Sequence, residues 1–414
     1  MTTITTLNGL QDMDLDLAGN YELGNDIDAS GTAAWNGGLG FEPIGDNATP
    51  FTGTFDGKGF TITGLTINRP ATDYIGLFGY TAGAVDAHVA IKNVTLAAAA
   101  ITGDDWVGAL VGKAMAYTDI SSCVTSGTVV GDNTVGGLVG SAYDADPTLV
   151  RIDDCSSSCT VTASGIDGGG LIGNYTATVS YSYATGSVTA LNYASGFGNP
   201  VNSAVTSHCF ATGTVVATNN YAGGFCGYLG GSVADCYATG SVTGDASHDG
   251  SSTGIGGFAG QTDTAMAVTR CYSTGAVAGT SVVGGFVGDD GGAVFTGCAW
   301  DEDTSGTATA CGSGAVTGIT GYTTAEMKDG TATDGWSPVD WDLITASNNG
   351  YACLLGITPG CLSPDTPNVI GDRTVVVEKP LLELIRNVEV QLDGRFYVDK
   401  NGNAVYESRY HRSG

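Results

Sequence analysis

The sequence predicts an all-β protein whose strands stack as the coils of a solenoid, and three observations lead there. The phrase Gly136-Gly-Leu-Val-Gly140 recurs with small changes eight times between Gly76 and Gly288. Its copies end at Gly79, Gly112, Gly140, Gly173, Gly198, Gly227, Gly260 and Gly288, 25 to 33 residues apart, which is the length of a solenoid repeat. A second phrase alternates in phase with it. Asp235-Cys-Tyr-Ala-Thr-Gly-Ser-Val242 has counterparts at Ser122–Val129, Asp154–Val161, Tyr181–Val188, His208–Val215 and Arg270–Val277. Between the glycines the segments are short and β-branched or aromatic, without a sustained helical period.

A strand with one buried face cannot stand alone, so each coil is expected to pair its backbone with the next, about 4.8 Å away. Eight such coils make a rod of roughly 40 Å. The corner glycines Gly112, Gly140, Gly173, Gly227, Gly260 and Gly288 are expected to take positive φ and to let neighbouring coils approach closely. The Leu, Val or Phe between them should point inward as an apolar ladder. Cys123, Cys155, Cys209, Cys236, Cys271 and Cys298 share one place in the repeat, with Ser182 in the remaining copy. Parallel Cβ vectors suit a disulfide poorly, so these six are expected to form a reduced packing ladder of small apolar side chains. Cys353 and Cys361, flanking a Pro-Gly turn, are the better pair for a bridge.

Along the chain, residues 1–75 read as the first coils or cap, 76–300 as the regular repeats, 301–368 as further coils and a linker, and 369–414 as a separate tail. Phe51 to Ile67 alternates apolar and polar residues about Asp56-Gly57, a strand, turn, strand signal. Asp12, Asp14 and Asp16 alternate with apolar residues. That pattern suits a strand with one wet face; the competing reading, a calcium loop, lacks its glycine. Thr323 to Lys328 looks like a helix start, with Thr three residues before Glu. Arg395, Phe396 and Tyr397, then Tyr406 and Tyr410, flank an Asn401-Gly402 turn, so the tail should hold a β-hairpin. Leu381 to Val390 before it fits a strand or a short helix.

Glycine is 66 of 414 residues, charged residues only 14%, and the net charge is −28. Residues 1–371 hold 7 of the 14 Lys and Arg but 35 of the 42 Asp and Glu, while the tail is neutral. So acidic a body should repel nucleic acid and anionic membranes. No apolar run approaches the roughly 18 to 20 residues of a membrane helix, so membrane insertion is not expected. Met1-Thr-Thr-Ile4 leads straight into patterned sequence without a basic, apolar leader. Export by another route, after removal of a leader, or by release of an assembly is therefore expected.

With the two phrases and the entry segment in place, the sequence resembles the GLUG-motif repeats of large bacterial and archaeal surface proteins. The resemblance covers roughly residues 1–360 and implies a right-handed parallel β-helix, similar to adhesin and filamentous haemagglutinin-like rods, here followed by a small C-terminal hairpin module. It implies no catalytic residues and no cofactor.

The search for chemistry agrees. Gly168 to Gly173 satisfies G-x-G-x-x-G, but no helix follows as a dinucleotide site requires. His88, His208, His248 and His411 are scattered, without ligand spacing. Asp301, Glu302 and Asp303 form an acidic cluster. The leading expectation is a non-enzymatic structural or adhesive rod of an extracellular assembly: a surface filament, an adhesin or a virion appendage. Exposed Tyr and Asn would offer surfaces to glycans, although Tyr183 and Tyr237 equally suit packing between coils. Residues 369–414 would cap the rod, or dock it to further copies or a larger assembly. Two alternatives stand beside this. A tailspike-like glycosidase or lyase would need paired carboxylates in a groove, and an ice-binding solenoid would need a flat Thr ladder such as Thr185, Thr212, Thr239 and Thr274.

Overall fold

Strands of two to eight residues, each too short to be stable alone, are held here by neighbours one repeat away. The computed structural model describes residues 1–244, 254–280, 282–333, 335–338, 340–343, 347–357, 394–398 and 404–408. It divides into two compact units, Met1–Cys361 and Leu362–Gly414.

The first unit is a parallel β-solenoid. A 26-stranded sheet, a 7-stranded sheet and sheets of 5 and 4 strands line its faces, and their strands pair parallel, coil to coil. Val135–Gly136, for example, lies between Val107–Gly108 and Gly168–Gly169. This register stacks like on like. Phe55, Ile91, Ile120, Ile152 and Val179 form one inward column. Ile67, Ile101, Val129, Val161, Val188, Val215 and Val242 form a second. The apolar residue of the Gly-rich phrase forms a third, in which the rings of Phe197, Phe225, Phe258 and Phe286 stack 4.8 to 4.9 Å apart. These residues are buried and make one continuous core.

Glycine sets how close the coils come. At Gly186, Gly213, Gly240 and Gly275 an added Cβ would lie 1.8 to 1.9 Å from the carbonyl oxygen of the preceding coil. The corner glycines are similar: from Gly112, Gly140, Gly173 and Gly260 the preceding coil's carbonyl is 2.5 to 2.6 Å away, from Gly227 the Tyr193 carbonyl carbon 2.5 Å, and from Gly288 the Ile255 nitrogen 2.2 Å. None of these six has positive φ, contrary to expectation. The left-handed residues sit two places before the phrase, at Tyr74, Trp106, Thr134, Tyr193 and Val282. The corner needs proximity, and the turn is made just upstream.

Two further sequence readings are corrected. Thr54–Asp56 and Thr61–Thr63 do not form a hairpin: the first pairs with Asn20–Leu23 and Val89–Lys92, the second with Ile27–Asp28 and Thr95–Thr102, all parallel. Alternation shows which face is buried and says nothing of which strand is the partner. Asp12, Asp14 and Asp16 lie in no strand. Leu7–Gln11 is a helix capped by Thr6, whose Oγ1 accepts from Gly9 N at 3.1 Å, and Asp12–Leu15 continues it as a 3-10 turn that buries Met13. Beyond Trp300, Cys311–Ser313 pairs with Val287–Asp290 and Ile319–Tyr322 with Cys298–Asp301. Helix Thr324–Lys328 then begins at Thr323, with Glu326 completing the capping box.

In the second unit Gly394–Val398 pairs antiparallel with Ala404–Ser408, Arg395 opposite Glu407, Phe396 opposite Tyr406 and Tyr397 opposite Val405. Asn401, Gly402, Tyr410 and residues 381–390 lie outside the described residues.

If glycine sets the coil spacing, Gly186→Ala should cost about 3 kcal/mol or more through overpacking. Gly31→Ala, whose Cβ would meet nothing nearer than 3.9 Å, should be close to neutral; urea denaturation of both variants checks this.

Candidate functional site

At one corner of seven successive coils a residue takes the left-handed conformation. In order these are Asn93, Ser122, Asp154, Tyr181, His208, Asp235 and Arg270, with φ between 47° and 55°. The twist turns that side chain outward and sends the next residue into the core.

The inward residue is the cysteine. Cys123, Cys155, Cys209, Cys236, Cys271 and Cys298 are free and buried. Their thiols donate to the carbonyl two residues back, at 3.2, 3.2, 3.1, 3.1, 3.3 and 3.8 Å. Ser182 Oγ makes the same bond at 2.7 Å, which explains why serine fits the column. Burial pushes the Cys155, Cys236 and Cys298 thiols well up, whereas at Cys271 burial is outweighed by bonds from Cys236 and Cys298, which pull the thiol down to about 5. Cys353 is disulfide-bonded; Cys361 lies outside the described residues.

The outward corner residues touch from coil to coil. Ser122 Oγ donates to Asp154 Oδ2 at 2.8 Å. The rings of Tyr181 and His208 stack at 4.7 Å. Arg270 grips Asp235 with two bonds of 2.7 and 2.6 Å. Burial raises the Asp235 carboxyl, but bonds from Arg270 and the Trp341 indole outweigh it and hold the group below its ordinary value.

Beside the cysteines runs an outer aromatic column, Tyr183, Phe210, Tyr237 and Tyr272, with centroids 4.7, 4.8 and 5.0 Å apart and planes within 3°. The described residues between 323 and 357 fold back across it. Trp336, Trp341, Tyr351 and Leu354 form a second apolar core with Phe210, Tyr237, Tyr272 and Ala299. Polar contacts fix this strap: Trp341 Nε1 to Asp235 at 3.1 Å, Tyr351 OH to Asp301 at 2.7 Å, Tyr272 OH to the Ala352 carbonyl at 2.5 Å, and His208 to Asp340 at 3.3 Å. Asp301 also caps helix Glu302–Ser305 and accepts from Thr324. It is an anchor, and Asp303 accepts from the Thr324 backbone beside it. Tyr237 is therefore buried between stacked neighbours, whereas Tyr183 is half-buried at the uncovered end. Sequence reading missed the strap; two tryptophans beyond the repeats, Trp336 and Trp341, were its only signal.

Beyond Tyr181 and Tyr183 the corner continues through Asp154 and Ser122 to an open depression lined by Asp56, Lys58, Gly59, Asn93, Thr95 and Ser122. Asp56 accepts there from Lys58 N and Asn93 Nδ2, both at 2.9 Å.

Elsewhere, the Tyr74 and Trp106 rings stack at 4.8 Å with Lys113 Nζ 4.6 Å over Trp106. Nearby, carboxylate oxygens of Asp104, Asp105 and Asp132 come within 4.8 Å of one another. The acidic residues considered for calcium, Asp12, Asp14 and Asp16, are exposed on their short helix, and Asp14 accepts from Gly45 N. Of the proposed Thr ladder, Thr185 and Thr212 are exposed but Thr274 is buried, so the column does not continue as an open face. His88 pairs with Asp119 at 3.1 Å, far along the chain from His208; His248 and His411 lie outside the described residues.

Comparison with known proteins fits this architecture. The family profile described as the GLUG motif matches residues 218–243. The chain carries a GLUG motif there. Halomucin of Haloquadratum walsbyi is 46% identical over 101 residues, 23% of this chain and 1% of that protein. A protein of Evansella cellulosilytica, provisionally named a Gly-rich membrane protein, is 42% identical over 98 residues, 23% of this chain and 11% of its own. The chain thus spans a small part of either relative. Among solved structures, a Bacteroides ovatus protein proposed to be an immunoglobulin A1 protease aligns with TM-score 0.50 over 85% of this chain and 91% of its own, at 21% identity. That likeness concerns the fold. No described helix is long and apolar enough to cross a membrane.

Two measurements test the residue assignments. Without reductant, the denatured chain should titrate nine thiols, those of the nine cysteines that are free, and the native chain at most the half-buried Cys311. Burial pushes Asp167 up to about 6 despite a bond from Asn174. The folded state therefore holds this proton more tightly than the unfolded one, and stability falls as pH rises through the interval from about 4 to 6. Asp167→Asn should raise stability by about 1–2 kcal/mol at pH 8 and change little at pH 4.

Proposed function

We propose that this chain is a non-enzymatic segment of a surface-exposed protein, a stiff solenoid that displays long polar faces for adhesion and attaches through residues 369–414. One observation carries the reading: the groups best suited to chemistry are spent on architecture. The six thiols of the column satisfy their own corner carbonyls. The buried carboxylates Asp235 and Asp301 hold the strap. A glycosidase needs two carboxylates facing a substrate groove about 5 to 10 Å apart, and these two face protein donors. The names of the relatives, a mucin-like name and a membrane protein, support a place at the cell surface, and the acidic body supports solubility there.

The tail is the attachment element in this reading because its charge balance differs from the body: 7 basic and 7 acidic residues in the last 43. On intact producing cells or purified particles the chain should be cleaved by added protease and bind antibody; recovery only from the cell interior would overturn the proposal. Deleting residues 369–414 should leave a folded rod that no longer assembles. Unchanged assembly would reduce the tail to a cap.

A further inference from the structure

Both outer aromatic columns stop on the same coil. Tyr181 ends the stack it forms with His208, and Tyr183 ends the stack that runs through Phe210 and Tyr237 to Tyr272. In each stack the ring planes lie nearly parallel, 16° apart at Tyr181 and 2° at Tyr183, so the two terminal rings look along the rod in the same direction. The coil they face places Asp154 at the left-handed corner and Ser156 in register with Tyr183, where the four coils from Tyr183 to Tyr272 have rings. Tyr181 remains 43% exposed. This aromatic step is continuous with the depression at Asp56, Asn93 and Ser122, through the Ser122–Asp154 bond.

We infer that this corner is a binding site for a neutral linear glycan, laid along the rod from the depression to the tyrosine step. The inference rests on the adhesive reading above and gives it a place and a ligand class. A pyranose ring has an apolar C–H face and a rim of hydroxyls. The face suits an uncovered tyrosine ring, which is apolar with a polar tip. The rim suits carboxylate, amide and hydroxyl groups spaced along a shelf, here Asp154, Ser122, Asn93 and Asp56.

Other ligand classes fit less well. A peptide strand would need unpaired backbone, but the corner amides are already bonded to the next coil: Asn93 to Ser121, Ser122 to Asp153, Asp154 to Ser180 and Tyr181 to Ser207, at 3.1 to 3.3 Å. An anionic chain would meet an acidic body, and the two nearby ammonium groups are already paired, Lys58 with Glu22 at 3.9 Å and Lys92 with Asp56 at 3.7 Å. From Asn93 to Tyr181 the corner spans three coil steps, about 14 Å, or roughly three hexose units.

The full chain is titrated calorimetrically with neutral hexasaccharides: cellohexaose, chitohexaose, mannohexaose, xylohexaose and laminarihexaose. At least one should bind, Tyr181→Ala should weaken it at least tenfold, and Tyr181→Phe, which keeps the ring, should restore most of the affinity. Asp154→Asn should weaken it several-fold, while Tyr143→Ala, removing another exposed tyrosine (42%), should change nothing. Unaltered melting temperatures separate these effects from unfolding. The site is refuted if no hexasaccharide binds, if Tyr181→Ala binds like the parent, or if hexagalacturonate binds instead in a Lys58-dependent way. Binding that survives Tyr181→Ala would leave the adhesive reading standing and move the ligand to another face. A chain absent from the surface would defeat the reading itself, whatever the titration showed.

Discussion

In each coil, the space that a side chain would fill at Gly186, Gly213, Gly240 and Gly275 is taken by a carbonyl oxygen of the coil before, less than 2 Å from where a Cβ would be. The corner glycines repeat the arrangement with main-chain atoms of neighbouring coils. Much else follows from this contact. It lets main chains meet directly at the turns, so that strands as short as Val135–Gly136 can keep their pairing in register. Register in turn stacks like residues, and phenylalanine rings 4.8 Å apart are the result. Because each coil contacts chiefly its neighbours, stability should accumulate coil by coil.

The same register orders the outside. A left-handed residue before each cysteine sends the thiol inward and its own side chain outward, giving a buried column and an exposed one from a single turn. Stacked aromatics on the outer face would leave apolar surface in water. Over the last coils the strap covers them and ties Trp341, Tyr351 and Asp340 to the corner column and its neighbour Asp301. Farther along, the columns give way to Asp154, Ser122 and Asn93. The rod thus has a closed, apolar side near its C-terminal coils and an open, hydroxyl- and carboxylate-rich corner before them.

Much of this was legible in the sequence because repetition reports contacts directly. Cysteines at one place in six repeats had to stack, and Ser182 in the seventh marked the place as small and hydrogen-bonding. What was misread depended on partners that local pattern does not name. Phe51 to Ile67 alternates like a hairpin, yet its strands pair with coils about 35 residues away. Asp12 to Asp16 alternates like a strand, yet Thr6 caps a helix just upstream. The strap was invisible for a related reason: Trp341 and Asp235 are 106 residues apart, and no periodicity links them. At the candidate site, single tyrosines were visible, but that two columns end on one coil is a fact of register.

Hydrogen exchange read by mass spectrometry on the whole chain tests most directly whether backbone contact between parallel coils holds the molecule together. The glycine-column account predicts one contiguous protected block through the coils from Val107 to Gly284, with the slowest amides in segments joined to coils on both sides and faster exchange in the terminal coils. Protection in separate antiparallel pairs, with rapid exchange across the glycine corners between them, would contradict it.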